Sequence, residues 1–92
     1  MKLFEITLRE YIGDKEWTHY ELIQARTLSS AEKKADKYAK QFWASYEDDD
    51  LVRKNEDGQY EFSGGEIVEV LSVKETTKEK FLEEAYQRAL IV

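Results

Sequence analysis

The stretch SSAEKKADKYAKQFWASY, residues 29–46, decides how the rest of the chain is read. Ala31, Ala35, Tyr38, Ala39, Phe42, Trp43 and Tyr46 recur at three- and four-residue steps, which places them on one stripe of a 3.6-residue helix. Lys33, Lys34, Lys37, Lys40 and Gln41 fall on the other side. Ser29 followed by Glu32 has the spacing of a capping box, in which the hydroxyl and the carboxylate each satisfy a free amide of the first turn. Alanines at the front let the backbone lie close to a flat partner, and aromatics at the back fill a wider space. That is the pattern of a helix laid across a twisted sheet.

Working outward, residues 3–12 alternate, with Phe4, Ile6, Leu8 and Ile12 on one face and Leu3, Glu5, Thr7, Arg9 and Tyr11 on the other. This predicts a half-buried strand. A turn at Gly13-Asp14-Lys15-Glu16 and a second strand over residues 17–26 complete an antiparallel hairpin. In the second strand Tyr20 and Leu22 share one face while Ile23 and Ala25 share the opposite one. Either both faces are partly covered, or a bulge shifts the register near Ile23-Gln24.

Beyond the helix, Glu47-Asp48-Asp49-Asp50 opposes the helix dipole and is expected to mark its end. A short strand at residues 51–54, a turn at Asn55-Glu56-Asp57-Gly58 and a strand around Tyr60 and Phe62 follow. After a turn at Gly64-Gly65, residues 66–74 are apolar on both sides, as an interior strand would be. Thr76 with Glu79 repeats the capping spacing and opens a closing helix whose apolar stripe is Phe81, Leu82, Ala85, Tyr86 and Ala89. Leu90, Ile91 and Val92 leave an apolar end that is expected to dock. The expected architecture is therefore α+β: an antiparallel sheet of four to five strands with two helices, in the order ββα(β)ββα and in two layers. One helix, about residues 30–46, covers a sheet face; the other, about residues 77–90, lies beside it or at the sheet edge.

Ninety-two residues make a single domain, 1–92, able to bury roughly 60 to 65% of its unfolded surface. Six Tyr, four Phe and two Trp mean that the core is built from large rings. With no Cys there is no disulfide, thiolate zinc site or thiol nucleophile. The charges in MKLFEITLRE do not suit a signal peptide, and no apolar run approaches the roughly 20 residues that span a bilayer, so no membrane association is expected. The net charge of −6 is unevenly placed. Residues 1–46 carry eight Lys/Arg and seven Asp/Glu, a net of +1, whereas residues 47–92 carry six and thirteen, a net of −7. Such a chain is a poor general nucleic-acid binder and suits a basic partner.

His19 is the one histidine, so a nucleophile-base-acid triad would have to use it. No serine sits in a nucleophile-elbow setting, and the plainer reading is a strand histidine facing solvent or its hairpin partner. Glu47, Asp48, Asp49, Asp50, Glu56 and Asp57 could surround a hard cation through oxygens, yet their spacing does not match a calcium loop. A solvated acidic loop that meets a basic protein surface is preferred, with no metal or cofactor and no catalysis. Lys33, Lys34, Lys37 and Lys40 could track a phosphate backbone while Trp17, Tyr60 or Phe62 stacked bases. Glu32 and Asp36 interrupt those lysines, and direct nucleic-acid binding is the alternative reading rather than the expected one. A homo-oligomeric structural or regulatory phage protein, such as a homodimer, assembled through the apolar terminus or an open sheet edge, is the third.

At Tyr20-Glu21-Leu22-Ile23-Gln24-Ala25, Ser29-Ser30-Ala31-Glu32 and Ala35-Asp36-Lys37-Tyr38-Ala39, the chain resembles small phage- and mobile-element-encoded α+β proteins, some anti-CRISPR proteins among them. The likeness covers residues 1–46 and is one of layout. What it implies is a phage-derived inhibitor in the cytoplasm of a bacterial host. Such a protein would occupy a basic surface of a nucleic-acid-targeting defence complex.

Overall fold

Alternation at Phe4, Ile6 and Leu8 gives the first strand one face that must be covered, and the plan of the fold follows from covering it. The structure, a computed structural model, describes residues 1–43 and 50–90. Its elements are β1 (Lys2–Ile12), β2 (Lys15–Ala25), α1 (Leu28–Lys40), β3 (Leu51–Lys54), β4 (Tyr60–Phe62), β5 (Ile67–Thr76) and α2 (Lys78–Leu90). The strands form a five-stranded antiparallel sheet in the order β2-β1-β5-β4-β3. This is the expected α+β arrangement, with β5 at its centre.

β1 and β2 are joined by Gly13 and Asp14 alone, the glycine at φ 63, where a side chain would be strained. Their register runs from Ile12↔Lys15 to Lys2↔Ala25 without a shift. There is thus no bulge near Ile23, and both faces of β2 are partly covered instead. Ile23 and Ala25 pack with Phe4 and Ala31 on the α1 side, while Leu22 and Tyr20, opposite Glu5 and Thr7, belong to the back. The bulge lies in β5. Leu8 pairs with Val70 and Thr7 with Ser72, which leaves Leu71 as an extra residue, 42% exposed.

Two boundaries of α1 differ from the predicted ones. Thr27, extended at φ −138 and ψ 163, caps the helix by accepting the Ser30 N–H at 3.1 Å, so α1 begins before Ser29. Arg26 and Thr27 alone connect β2 to α1, and the extended backbone of the threonine is the conformation that a cap requires. At the other end α1 stops at Lys40, and the Phe42 N–H bonds to the Ala39 carbonyl at 3.2 Å in a tightened turn. Phe42 and Trp43 pack against the core from that turn; Tyr46 lies outside the described residues.

Ala31, Ala35 and Ala39 are fully buried beneath the helix. Below them the sheet contributes Ile6, Leu8, Tyr60, Phe62 and Val68. Aromatic volume thus comes from the strands and close approach from the helix.

α2 starts one residue later than predicted. Thr77, not Thr76, accepts the Lys80 N–H, at 3.1 Å, while Thr76 is buried as the last residue of β5. None of its residues is buried; Phe81 and Ala85 are half-covered, and Leu82, Tyr86 and Leu90 are exposed. It is held to the back of the sheet by the Arg88 guanidinium, 3.7 Å above the Tyr20 ring, and by Glu84, 3.8 Å from Lys74. Ile91 and Val92 lie outside the described residues. The packed core is accordingly the two layers of sheet and α1. Among the described residues no helix is long and apolar enough to cross a membrane.

Ala35→Leu places three extra carbons where the helix has no room. Overpacking of this kind is expected to lower stability by about 1–3 kcal/mol, read as a lower urea midpoint at an unchanged slope.

Candidate protein-binding surface

The turn from β3 to β4 is organised by Asn55. Its Oδ1 accepts the N–H groups of Asp57 and Gln59, both at 3.0 Å, and its Nδ2 donates to Gln59 Oε1 at 3.1 Å and to Glu61 Oε2 at 3.0 Å. The Asn55 N–H also reaches the Gln59 carbonyl at 2.8 Å. Gly58, at φ 80, closes the turn in the left-handed conformation. The result is a braced tip from which Glu56 and Asp57 stand exposed.

Neighbouring carboxylates are tied to the protein. Glu61 accepts from Arg53 at 2.9 Å, and this bond, then that from Asn55, holds its carboxyl below the usual range. Glu69 accepts from the Tyr11 hydroxyl at 2.7 Å and from Gln59 at 2.8 Å, and the former bond raises the tyrosine's pKa. Asp36 on α1 accepts from the Tyr60 hydroxyl at 2.7 Å and from Lys54 at 3.2 Å, which fastens the helix to the hairpin. Glu56 and Asp57, by contrast, have no side-chain partner among the described residues.

The six acidic positions singled out in the sequence are thus not one cluster. Glu56 and Asp57 are adjacent on the tip. Asp50 sits at the far end of β3, bonded through its N–H to Ser63 Oγ at 2.9 Å, and roughly 15 Å of extended chain separates it from the turn. Glu47, Asp48 and Asp49 lie outside the described residues. No three His, Asp or Glu side chains among the described residues come together as a metal site. Above the tip lies a shallow polar hollow of about 300 Å³, lined by Arg53, Asn55, Glu56, Asp57 and Glu61.

Lys33, Lys34, Lys37 and Lys40 are all exposed on the outer side of α1. Lys34 donates to the Gln24 carbonyl at 2.6 Å. Of the rings that could have stacked on bases, Tyr60 and Phe62 are buried, which removes them from any such role; Trp17, 44% exposed, is at the surface of β2.

His19, expected to face solvent or its hairpin partner, reaches that partner strand at Glu10, a residue that sequence reasoning missed. The histidine Nε2 lies 3.1 Å from Glu10 Oε1, and its ring centroid is 5.2 Å from that of Phe42. The side chain of Glu10 is 8% exposed. Glu10 shares its parity with Phe4, Ile6 and Leu8, and that was the available sign that it points inward.

No family model matches the chain, and neither does any curated protein or solved structure.

The Asp36 carboxyl is held below its ordinary value of 3.8, first by the Tyr60 hydroxyl and then, against burial, by Lys54. A folded-state pKa below the unfolded one stabilises the fold fully above the unfolded value, and the contribution is lost as pH falls through the folded value. Asp36→Asn is therefore expected to destabilise the protein by about 1 kcal/mol near neutral pH, a figure reduced for the half-exposed setting. The gap from wild type should close as urea titrations are taken below about pH 4.

Proposed function

We propose that the chain is a small, non-enzymatic protein-binding module that recognises a basic surface through its acidic second half. The observation that carries this reading is the Asn55-braced turn, which offers Glu56 and Asp57 without side-chain partners among the described residues while the carboxylates around it are paired. A braced turn loses little conformational freedom on binding, and unpaired carboxylates hasten encounter with a cationic partner. In its narrower form the proposal is that of an inhibitor, which covers the basic groove of a nucleic-acid-targeting complex in the manner of small phage proteins. The lysine face of α1 is the alternative, a nucleic-acid accessory module, and it is weakened by the burial of Tyr60 and Phe62.

The test is capture from a bacterial lysate on the immobilised protein at low salt, with mass spectrometry and a nucleic-acid stain. A basic protein retained by wild type is expected to bind about tenfold or more weakly to Glu56→Lys/Asp57→Lys. Equal retention by the variant removes the turn from the reading. Nucleic acid recovered without protein moves the function to Lys33, Lys34, Lys37 and Lys40.

A further inference from the structure

β5 is an interior strand for only part of its length. β4 meets it at Tyr60↔Val68 and Glu61↔Ile67, whereas β1 runs beside it from Ile67 to Thr76. Over residues 70–76 the side of β5 away from β1 has no strand partner among the described residues. In an antiparallel ladder every second residue directs both its N–H and its C=O to the same side. The Phe62 N–H bonds to the Glu66 carbonyl at 2.9 Å, so the even residues before the bulge face β4; the extra residue Leu71 reverses the parity and leaves Val73 and Glu75 facing outward.

A cleft of about 310 Å³ borders this edge, with Val70, Leu71 and Val73 on β5, Glu32 and Asp36 on α1, and Gly58 on the braced turn. Among the described residues its lining contains one cation, Lys54, which is paired with Asp36 at 3.2 Å. Glu32 is exposed and has no partner among the described residues. Glu56 and Asp57 adjoin Gly58 at one end.

We infer that this notch is a strand-addition site. An extended segment of a partner protein, with apolar side chains alternating with Lys or Arg, pairs with residues 70–76 and continues the row that β4 begins. The inference rests on the protein-binding reading and gives it a mode. Outward N–H and C=O groups in a row are matched by another extended backbone, and the pockets beside alternate positions select its side chains. Val70, Leu71 and Val73 favour apolar ones; Glu32 on the helix and Glu56 and Asp57 at the turn favour cations. Seven residues of strand span roughly 23 Å, enough to run from the turn to the start of α2. A second copy fits poorly, because two chains that each carry a net charge of −6 repel one another. The outer edge of β2 is a weaker candidate, since it carries Lys15, Glu16 and Glu21, charges of both signs that discourage pairing.

The test uses two peptides of eight residues, one of alternating Val and Lys and one identical but N-methylated at every second residue, titrated into the isotopically labelled protein and followed by amide shifts. The parent peptide is expected to move the amides of residues 70–75, and N-methylation to weaken it by about tenfold, as loss of two or more hydrogen bonds would. Glu75→Pro, which removes an outward N–H and leaves the β1 ladder intact, and Leu71→Lys, which sets a cation on the edge, should each weaken the parent peptide by a similar factor. Equal binding of both peptides, or shifts confined to residues 56 and 57, overturns strand addition and leaves the acidic-surface reading standing. Absence of peptide binding together with retained capture of a basic protein does the same. Edge amides that move with protein concentration alone assign the edge to a second copy and overturn the proposal. Loss of both peptide binding and capture ends both readings.

Discussion

The distance between α1 and the sheet is set by Ala31, Ala35 and Ala39, and most of what is distinctive about the molecule follows from how short it is. All three are fully buried. Because a methyl is the largest group the helix sends down, its backbone lies close over β1 and β5, and side chains on its flanks reach the sheet's own polar groups. Asp36, next to Ala35, thereby meets the Tyr60 hydroxyl at 2.7 Å, and Lys34 meets the Gln24 carbonyl at 2.6 Å. A wider seam would have left these polar ends in water. The burden of apolar burial falls on Phe4, Ile6, Leu8, Tyr60, Phe62 and Val68 instead.

The back of the sheet is built differently. Glu5 is 1% exposed there, and one of its oxygens has no hydrogen-bond partner among the described residues; the other is 3.5 Å from Lys74, itself half-exposed. A carboxylate at such a depth opposes a second dry core, since its desolvation is only partly offset by one distant ammonium. This is a physical reason for the shallow seat of α2. Its contacts run through Arg88, Glu84 and a half-covered Phe81, and the exposed series Leu82, Tyr86, Leu90 turns away from the sheet. The helix caps the back face without being locked to it.

Strands were legible because their period is two and the chain keeps it over β1 and β4, while β5 showed itself by being apolar on both sides; its bulge at Leu71 left no sign in that pattern. The turn at Asn55-Glu56-Asp57-Gly58 was legible too, since asparagine and glycine there do chemically distinct work: one bonds the backbone, the other takes a positive φ. Helix ends were misplaced for a specific reason. Thr27, Ser29 and Ser30 all offer a hydroxyl, as do Thr76 and Thr77, and local spacing does not say which one leaves its strand extended. Apolar residues at 42 and 43 continued the helical stripe although the chain had already tightened into a turn. The exposure of Glu56 and Asp57 could be expected; their lack of partners could not, because it depends on Arg53 and Asn55 choosing Glu61. The open part of β5 was beyond reach for a related reason: it is a consequence of register and turns on β4 being three residues long.

An unpaired stretch beside the middle of a sheet is ordinarily a liability, as it offers a template to any extended chain. Here the stretch lies between walls. α1 rises on one side with Glu32 and Asp36, the β3–β4 turn stands at one end, and the bulge at Leu71 adds to the local twist of the strand. Walls of this kind oppose the approach of another sheet, which needs several strands abreast, more than that of a single strand. Protection from indiscriminate pairing and selectivity for one extended, cationic segment would then have a common origin in the shortness of β4 and the close seat of α1, and neither would need a separate device.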